Sequence, residues 1–176
     1  KMLMYIVIAT IPAIIIGFSL KNEIELFFEN VNNVGFALLF TGLVLIISYI
    51  FKNKNSEHSL TSSVVIGLGQ ALAIIPGISR SGMTLTLSLF FGISPKESAK
   101  FSFLLSIPVI SGAGVLGIQD IQSNELFSAD IIITAVLSSF IIGIIALKLL
   151  IKLLERGKLY IFGVYCFCLG LVSIFI

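Results

Sequence analysis

Arg80 is the residue of this 176-residue chain that most needs a reason to be where it is. Nineteen of the 20 charged side chains stand in or beside short polar connectors, whereas Arg80 lies within the long uncharged stretch between Glu57 and Lys96. At the centre of a membrane helix an arginine costs about 2.5–3.5 kcal/mol by insertion scales, so its presence points to a task for the charge. Around it, Pro76-Gly77-Ile78-Ser79-Arg80-Ser81-Gly82-Met83-Thr84 sets three hydroxyls and a guanidinium just after a Pro-Gly break, where a new helix must start. A helix N-terminus offers unpaired N–H groups and the positive end of the dipole, which together suit a phosphate. Arg80 and Thr84 are four apart and share a helix face, which would put a guanidinium fork and a hydroxyl on one ligand. Gly77 and Gly82 would let that ligand approach the backbone. Gln70, ten residues before Arg80 and the only amide of the preceding arm, is placed to face the same cavity. Ser79 or Ser81 could cap the helix instead of reacting, which is the commoner role for a serine there.

The elements that must position these groups follow from composition. With 57% apolar and 11% charged residues, the chain is far from a soluble domain, which carries about 25% charge. That composition excludes nucleic-acid binding and a disulfide scaffold, and a net charge of +2 adds nothing to the choice of partner. Cys166 and Cys168, two apart, fall on nearly opposite helix faces and read as packing residues. Charge-free runs at 2–20, 34–51, 101–119, 131–147 and 159–176 each meet the length of a membrane span, about 17 to 25 residues.

Sorting the connectors by basic residues gives the orientation. Lys1, Lys52, Lys54, Lys96, Lys100, Lys148, Lys152, Arg156 and Lys158 fall on one side, which is then cytoplasmic, and only Lys21 falls on the other. Residues 59–95 must begin and end on the cytoplasmic side, so they form a re-entrant hairpin with its tip, Gly77 to Ser81, near the midplane. The second arm, 82–94, would reach only about 20 Å. Ser94-Pro95-Lys96-Glu97 is a capping box with Pro at the first helical position, so a helix starts at Pro95. Pro108 should kink that helix, with Ser106, Ser111 or a neighbouring helix taking up the freed carbonyl. The expected fold is an all-α polytopic membrane protein, one integral membrane domain of five transmembrane helices plus one re-entrant helical hairpin.

Two further motifs carry less. Gly112-Ala113-Gly114-Val115-Leu116-Gly117 matches a dinucleotide fingerprint, but inside a span it reads as close packing of small residues. His58, the only histidine, has no cluster of metal-ligand spacing near it in sequence and reads as a solvated loop residue.

The stretch Gly67-Leu68-Gly69-Gln70-Ala71-Leu72-Ala73-Ile74-Ile75-Pro76-Gly77-Ile78-Ser79-Arg80-Ser81-Gly82-Met83-Thr84 resembles the signature of bacterial undecaprenyl-diphosphate phosphatases, the bacitracin-resistance family. The resemblance extends through Phe101-Ser102-Phe103-Leu104-Leu105-Ser106-Ile107-Pro108 and the order of spans. It implies that Ser79, Arg80 and Thr84 take the places of the catalytic serine, the phosphate-binding arginine and a supporting threonine. By the same resemblance Gln70, Gly77 and Ser81 shape the site and bind substrate. The implied reaction is hydrolysis of undecaprenyl diphosphate to undecaprenyl phosphate and inorganic phosphate, recycling the lipid carrier of cell-wall synthesis in the bacterial cytoplasmic membrane.

Members of that family also carry an earlier re-entrant segment, with a glutamate-rich motif and a histidine, and one further span. Nothing in this chain matches them, so it reads as the C-terminal two-thirds of a longer protein. A divalent metal, Mg or Ca, is implied, with ligands outside this chain. None of Glu23, Glu25, Glu29 or Glu57 is expected at membrane depth. A serine nucleophile needs a base, so these residues alone are expected to bind diphosphate lipid weakly and hydrolyse none. Three spans after the hairpin invert this unit relative to a preceding one, the inverted-repeat plan of secondary transporters. That plan keeps a second reading, a polyprenyl-phosphate carrier or flippase using Arg80 to hold the headgroup. The expected partners are a polyprenyl diphosphate lipid and the bilayer, and a homodimer is left open.

Overall fold

The computed structural model describes residues 1–19, 27, 30–51, 54–122 and 129–175. Within them run α1 (Met2–Ser19), α2 (Val31–Ile47, continued by a 3-10 turn over Ser48–Ile50), α3 (Leu60–Leu72), α4 (Arg80–Phe90), α5 (Pro95–Gln122), α6 (Ala129–Glu155) and α7 (Tyr160–Phe175). Among the described residues the one strand-like feature is an isolated parallel bridge between Ser56 and Ile93. The described residues are therefore all-helical in class, and four stretches among them are long and apolar enough to cross a membrane: Met2–Ser19, Val31–Ile50, Pro95–Val115 and Asp130–Glu155. The stretch expected as a fifth span, 159–176, contains a 16-residue helix. At 1.5 Å per residue that helix is about 24 Å long, short of about 30 Å of hydrocarbon.

Local chemistry sets the helix starts. Asn30 accepts from the Asn32 amide at the head of α2, and Ser59 and Ser62 form a reciprocal capping box on α3. Ser94 accepts from the Glu97 amide at 3.3 Å, and α5 begins at Pro95 as the sequence predicts. By contrast, α6 runs eight residues past its expected end at 147, to Glu155. Lys148 and Lys152 do not stop it, because basic side chains are favoured near the negative end of a helix dipole.

Hydrophobic burial drives membrane helices together only weakly, so close approach of small residues has to hold them. Helices α2 and α7 run antiparallel with Gly35 opposite Gly170 and Gly42 opposite Gly163. A Cβ at Gly42 would stand 2.8 Å from the Gly163 carbonyl oxygen, and one at Gly170 2.7 Å from that of Gly35. Helices α1 and α3 approach as closely, since a Cβ at Gly67 would lie 2.6 Å from the Ala9 carbonyl oxygen. The packing expected of Gly112 and Gly114 is not found. A Cβ at either meets nothing within 4 Å, because residues 111–115 lie on an exposed length of α5.

Apolar contacts gather in two clusters. Ile6, Ala9, Ile66, Phe101 and Leu105 join α1, α3 and α5, and Leu45, Leu85, Ala99, Leu154 and Leu159 join α2, α4 and α5 to the α6–α7 corner. Cys166 packs against the second cluster and Cys168 is exposed, both as free thiols. His58 departs from expectation. Its ring stacks on the buried Phe101 with centroids 4.0 Å apart, and neither ring nitrogen has a hydrogen-bond partner among the described residues. Burial pushes its pKa below the ordinary histidine value, against the opposing influence of Glu97.

Helices α3 and α4 form a hairpin that returns to its starting end. At that end the Phe51 and Phe90 rings meet edge to face at 5.4 Å, and the Lys54 and Ser56 amides donate to the Gly92 carbonyl at 3.0 and 3.1 Å. The tip reaches half-way up α2, where it meets Thr41, the eleventh residue of the 20-residue stretch Val31–Ile50.

Candidate active site at the hairpin tip

Two features make the turn between α3 and α4. Gly77 has φ +92, in the left-handed region, and a Cβ there would lie 2.7 Å from the Val34 carbonyl oxygen and 2.8 Å from the Ala37 Cβ. Its missing side chain thus makes room for α2, where sequence reasoning had expected a ligand. Thr41 then fastens the turn: its hydroxyl donates to the Gly77 carbonyl at 2.9 Å and accepts from the Ser79 amide at 3.0 Å. Ser79 is the N-cap of α4, with extended backbone and Oγ accepting from the Gly82 amide at 3.1 Å. Of the two roles the spacing allowed for a serine here, capping is the one in place. Gly82 keeps the cap tight, since a Cβ there would sit 3.1 Å from Ser79 Oγ and 3.3 Å from Leu45.

Arg80, the first residue of α4, is partly buried and held from two sides. Its Nε and Nη2 both donate to Gln70 Oε1, at 2.8 and 2.6 Å, and Nη2 donates again to the Leu105 carbonyl at 2.6 Å. Leu105 lies three residues before Pro108, which has no N–H to give the Leu104 carbonyl. Ser106 turns to the Phe103 carbonyl at 2.6 Å, so a side chain of α5 and one from a neighbouring helix both bond main-chain carbonyls just ahead of the proline. Nη1 has no acceptor among the described residues. No carboxylate among them pairs with Arg80 either, and the Lys100–Glu97 ion pair, at 3.8 Å, is at the start of α5. Among the described residues every group holding Arg80 is a neutral oxygen, and none of them cancels its unit charge.

The remaining expected residues divide. Ser81 is partly exposed beside Arg80, and its hydroxyl has no partner among the described residues. Gln70 does not face a ligand: it is 2% exposed, with Oε1 given to Arg80 and Nε2 donating to the Ala9 carbonyl at 3.4 Å. Thr84 shares no ligand face with Arg80 either. It is 1% exposed, and its hydroxyl is engaged by Ser102 Oγ on α5 at 2.6 Å and by the Arg80 carbonyl at 3.1 Å. The structure therefore brings Ser79, Arg80 and Ser81 to one accessible turn and sets Gln70 and Thr84 behind it as supports.

Sequence reasoning missed Thr41, Ser102 and the Leu105 carbonyl. Thr41 was signalled only as a hydroxyl in the middle of an apolar run, and no spacing links it to a site 38 residues away. Two cavities among the described residues, of about 160 and 400 Å³, lie elsewhere, the first lined by Ser48, Tyr49 and Arg156 and the second by Tyr5, His58 and Glu97.

The donor set at the tip is a cation, amides and hydroxyls, which attracts anions and repels a divalent metal; Mg and Ca take carboxylate and carbonyl oxygens. Among the described residues no three His, Cys, Asp or Glu side chains stand together. These residues do not fit the metal that the resemblance implies. Glu23, Glu25 and Glu29 lie outside the described residues.

Comparison with known proteins gives the family of the chain. The model of a family described as bacitracin resistance protein BacA matches residues 1–172. An undecaprenyl-diphosphatase of Methanobrevibacter smithii is 38% identical over 176 residues, covering 98% of this chain and 64% of that protein. A protein of the same name from Methanothermobacter thermautotrophicus is 38% identical over 173 residues, covering 95% of this chain and 96% of its own length. An undecaprenyl-diphosphatase 2 of Bacillus thuringiensis is 36% identical, with 98% of this chain and 65% of that protein covered. The chain thus spans less than two-thirds of the M. smithii and B. thuringiensis relatives, and nearly the whole of the M. thermautotrophicus one.

Proposed function

The chain belongs to the bacitracin resistance protein BacA family, and from that premise we propose that it binds the headgroup of undecaprenyl diphosphate at the hairpin tip. In the whole protein this binding serves hydrolysis to undecaprenyl phosphate and inorganic phosphate, returning the lipid carrier to cell-wall synthesis. The observation that carries the reading is Arg80: a partly buried cation at a helix N-terminus, held among the described residues by neutral oxygens alone and with Nη1 unengaged by them. In a poorly hydrated site such a charge favours an anion strongly, and favours the more highly charged phosphoryl oxygens of the transition state further.

Water attack on the terminal phosphorus breaks its bond to the bridging oxygen and leaves the lipid monophosphate. Arg80 Nη1 and the first amides of α4 stabilise the charge on the phosphoryl oxygens. Ser79 Oγ already accepts the Gly82 amide, so its proton is free to donate to a phosphate oxygen. The Ser79 amide donates to Thr41 and the Ser79 carbonyl accepts from the Met83 amide, and neither contact offers a base. A nucleophilic Ser79 would need a proton acceptor beyond these partners, and no step is assigned to a metal.

In the membrane, we place α1, α2, α5 and α6 as spans, α7, packed along α2, as a fifth and shorter one, and the α3–α4 hairpin as re-entrant. Its two arms of 13 and 11 residues are too short to cross, and its tip stands at the half-height of α2. The basic connectors put both hairpin ends on the cytoplasmic side of the cytoplasmic membrane.

Phosphate release from farnesyl diphosphate by the purified full-length protein tests this reading. Release is expected in the wild type and strongly reduced in Arg80→Lys, because a point charge cannot make the two-sided contacts of the guanidinium. Movement of the lipid across vesicles without phosphate release would replace the enzyme by a carrier.

A further inference from the structure

Gln70 Oε1 receives both Nε and Nη2 of Arg80, the edge an arginine ordinarily presents to a carboxylate or phosphate. The Leu105 carbonyl takes the other Nη2 proton. The fork expected to grip two ligand oxygens is therefore turned into the protein, and Nη1 is the end left for a ligand. Gln70 is itself fixed, being 2% exposed with Nε2 toward the Ala9 carbonyl of α1. Close packing of Gly67 on Ala9 sets the level at which it stands.

A glutamate would fill the same space and accept the same two bonds from Arg80, while giving up the donation from Nε2 to the Ala9 carbonyl. It would also place a full negative charge against Arg80 in a poorly hydrated site, where opposite charges pair strongly. The neutral amide orients the guanidinium without cancelling its charge. From this we infer that Gln70 is a positioning residue whose neutrality keeps Arg80 available as the counter-ion of a phosphate or diphosphate headgroup. Gln70 thus acts through Arg80 and makes no contact of its own with substrate. This role rests on the reading of Arg80 as the anion-binding group.

The chain has two arginines, Arg80 and the exposed Arg156, so selective ¹⁵N labelling of arginine yields two Nε–H signals that are easily told apart. The Arg80 signal should be protected from exchange and should move on adding farnesyl diphosphate or inorganic pyrophosphate. In Gln70→Glu the Nε–H should remain protected, while affinity for either probe falls at least tenfold. In Gln70→Leu protection should be lost and affinity should fall as well. Wild-type affinity in Gln70→Glu would overturn the requirement for neutrality, and an unchanged Nε–H in Gln70→Leu would overturn the positioning role. Failure of the underlying reading shows separately: then Arg80→Gln would bind both probes as well as wild type does.

Discussion

Replacing Gly42 by alanine adds one methyl group at a close approach between α2 and α7, and the cost can be worked from the packing. The new Cβ would stand 2.8 Å from the Gly163 carbonyl oxygen, 2.8 Å from the Phe167 amide nitrogen and 3.0 Å from the Phe167 Cβ. Two of these neighbours are main-chain atoms on a helix and cannot rotate away. The helices must part by several tenths of an ångström, loosening the Gly35–Gly170 contact one heptad away. Overpacking of this kind costs about 1–3 kcal/mol, against a gain of about 1 kcal/mol for replacing glycine by alanine in a helix. Gly143→Ala supplies the control, since nothing lies within 4 Å of a Cβ there and only the helix-propensity gain applies. The difference between the variants is then the packing term alone. Thermal unfolding in detergent should place Gly42→Ala below Gly143→Ala by roughly 2–12 °C, at ~2–4 °C per kcal/mol for a chain of this size. Equal melting temperatures would show that α2 and α7 do not meet through these glycines.

Two further outcomes are expected. Thr41→Val keeps the volume of the side chain but leaves the Gly77 carbonyl and Ser79 amide without their partner, at about 1–3 kcal/mol for each buried group. Turnover of the full-length protein should fall at least tenfold and recover in Thr41→Ser; equal turnover in the valine and serine variants would show the tip to be held by other contacts. His58 is held below its ordinary pKa by burial, so the unfolded chain binds the extra proton first. Its contribution to stability is therefore present above about pH 6.5 and is lost as pH falls below that value. His58→Phe keeps the stack on Phe101 and should flatten this acid-side loss, as melting curves between pH 5 and 8 would show.

Much of this architecture is legible because lipid makes charge expensive. Uncharged runs mark α1, α2 and α5 to within a few residues, and the Pro76-Gly77 break and the Ser94-Pro95 cap mark the hairpin. Arg80 stands out for the same reason. What is not legible is which small or polar residues meet across helices. Gly35, Gly42, Gly163 and Gly170 make the close contact, whereas Gly112 and Gly114, more conspicuous as a motif, make none. Spacing alone puts Thr84 on the ligand side of Arg80, but Ser102 on α5 engages its hydroxyl. Thr41 becomes a site residue only through the fold. Such long-range pairings depend on the relative height and rotation of helices, which periodicity within one helix does not encode.

The central claim is that Arg80 at the hairpin tip is the receptor for a diphosphate headgroup, and equilibrium binding of farnesyl diphosphate to the purified chain tests it most directly. Arg80→Gln keeps a polar side chain but removes the charge, and Arg156→Gln removes the other arginine, exposed at the α6–α7 corner. The account predicts that Arg80→Gln weakens binding at least tenfold while Arg156→Gln binds as wild type does. Undiminished binding by Arg80→Gln, or an equal loss in both variants, would contradict it.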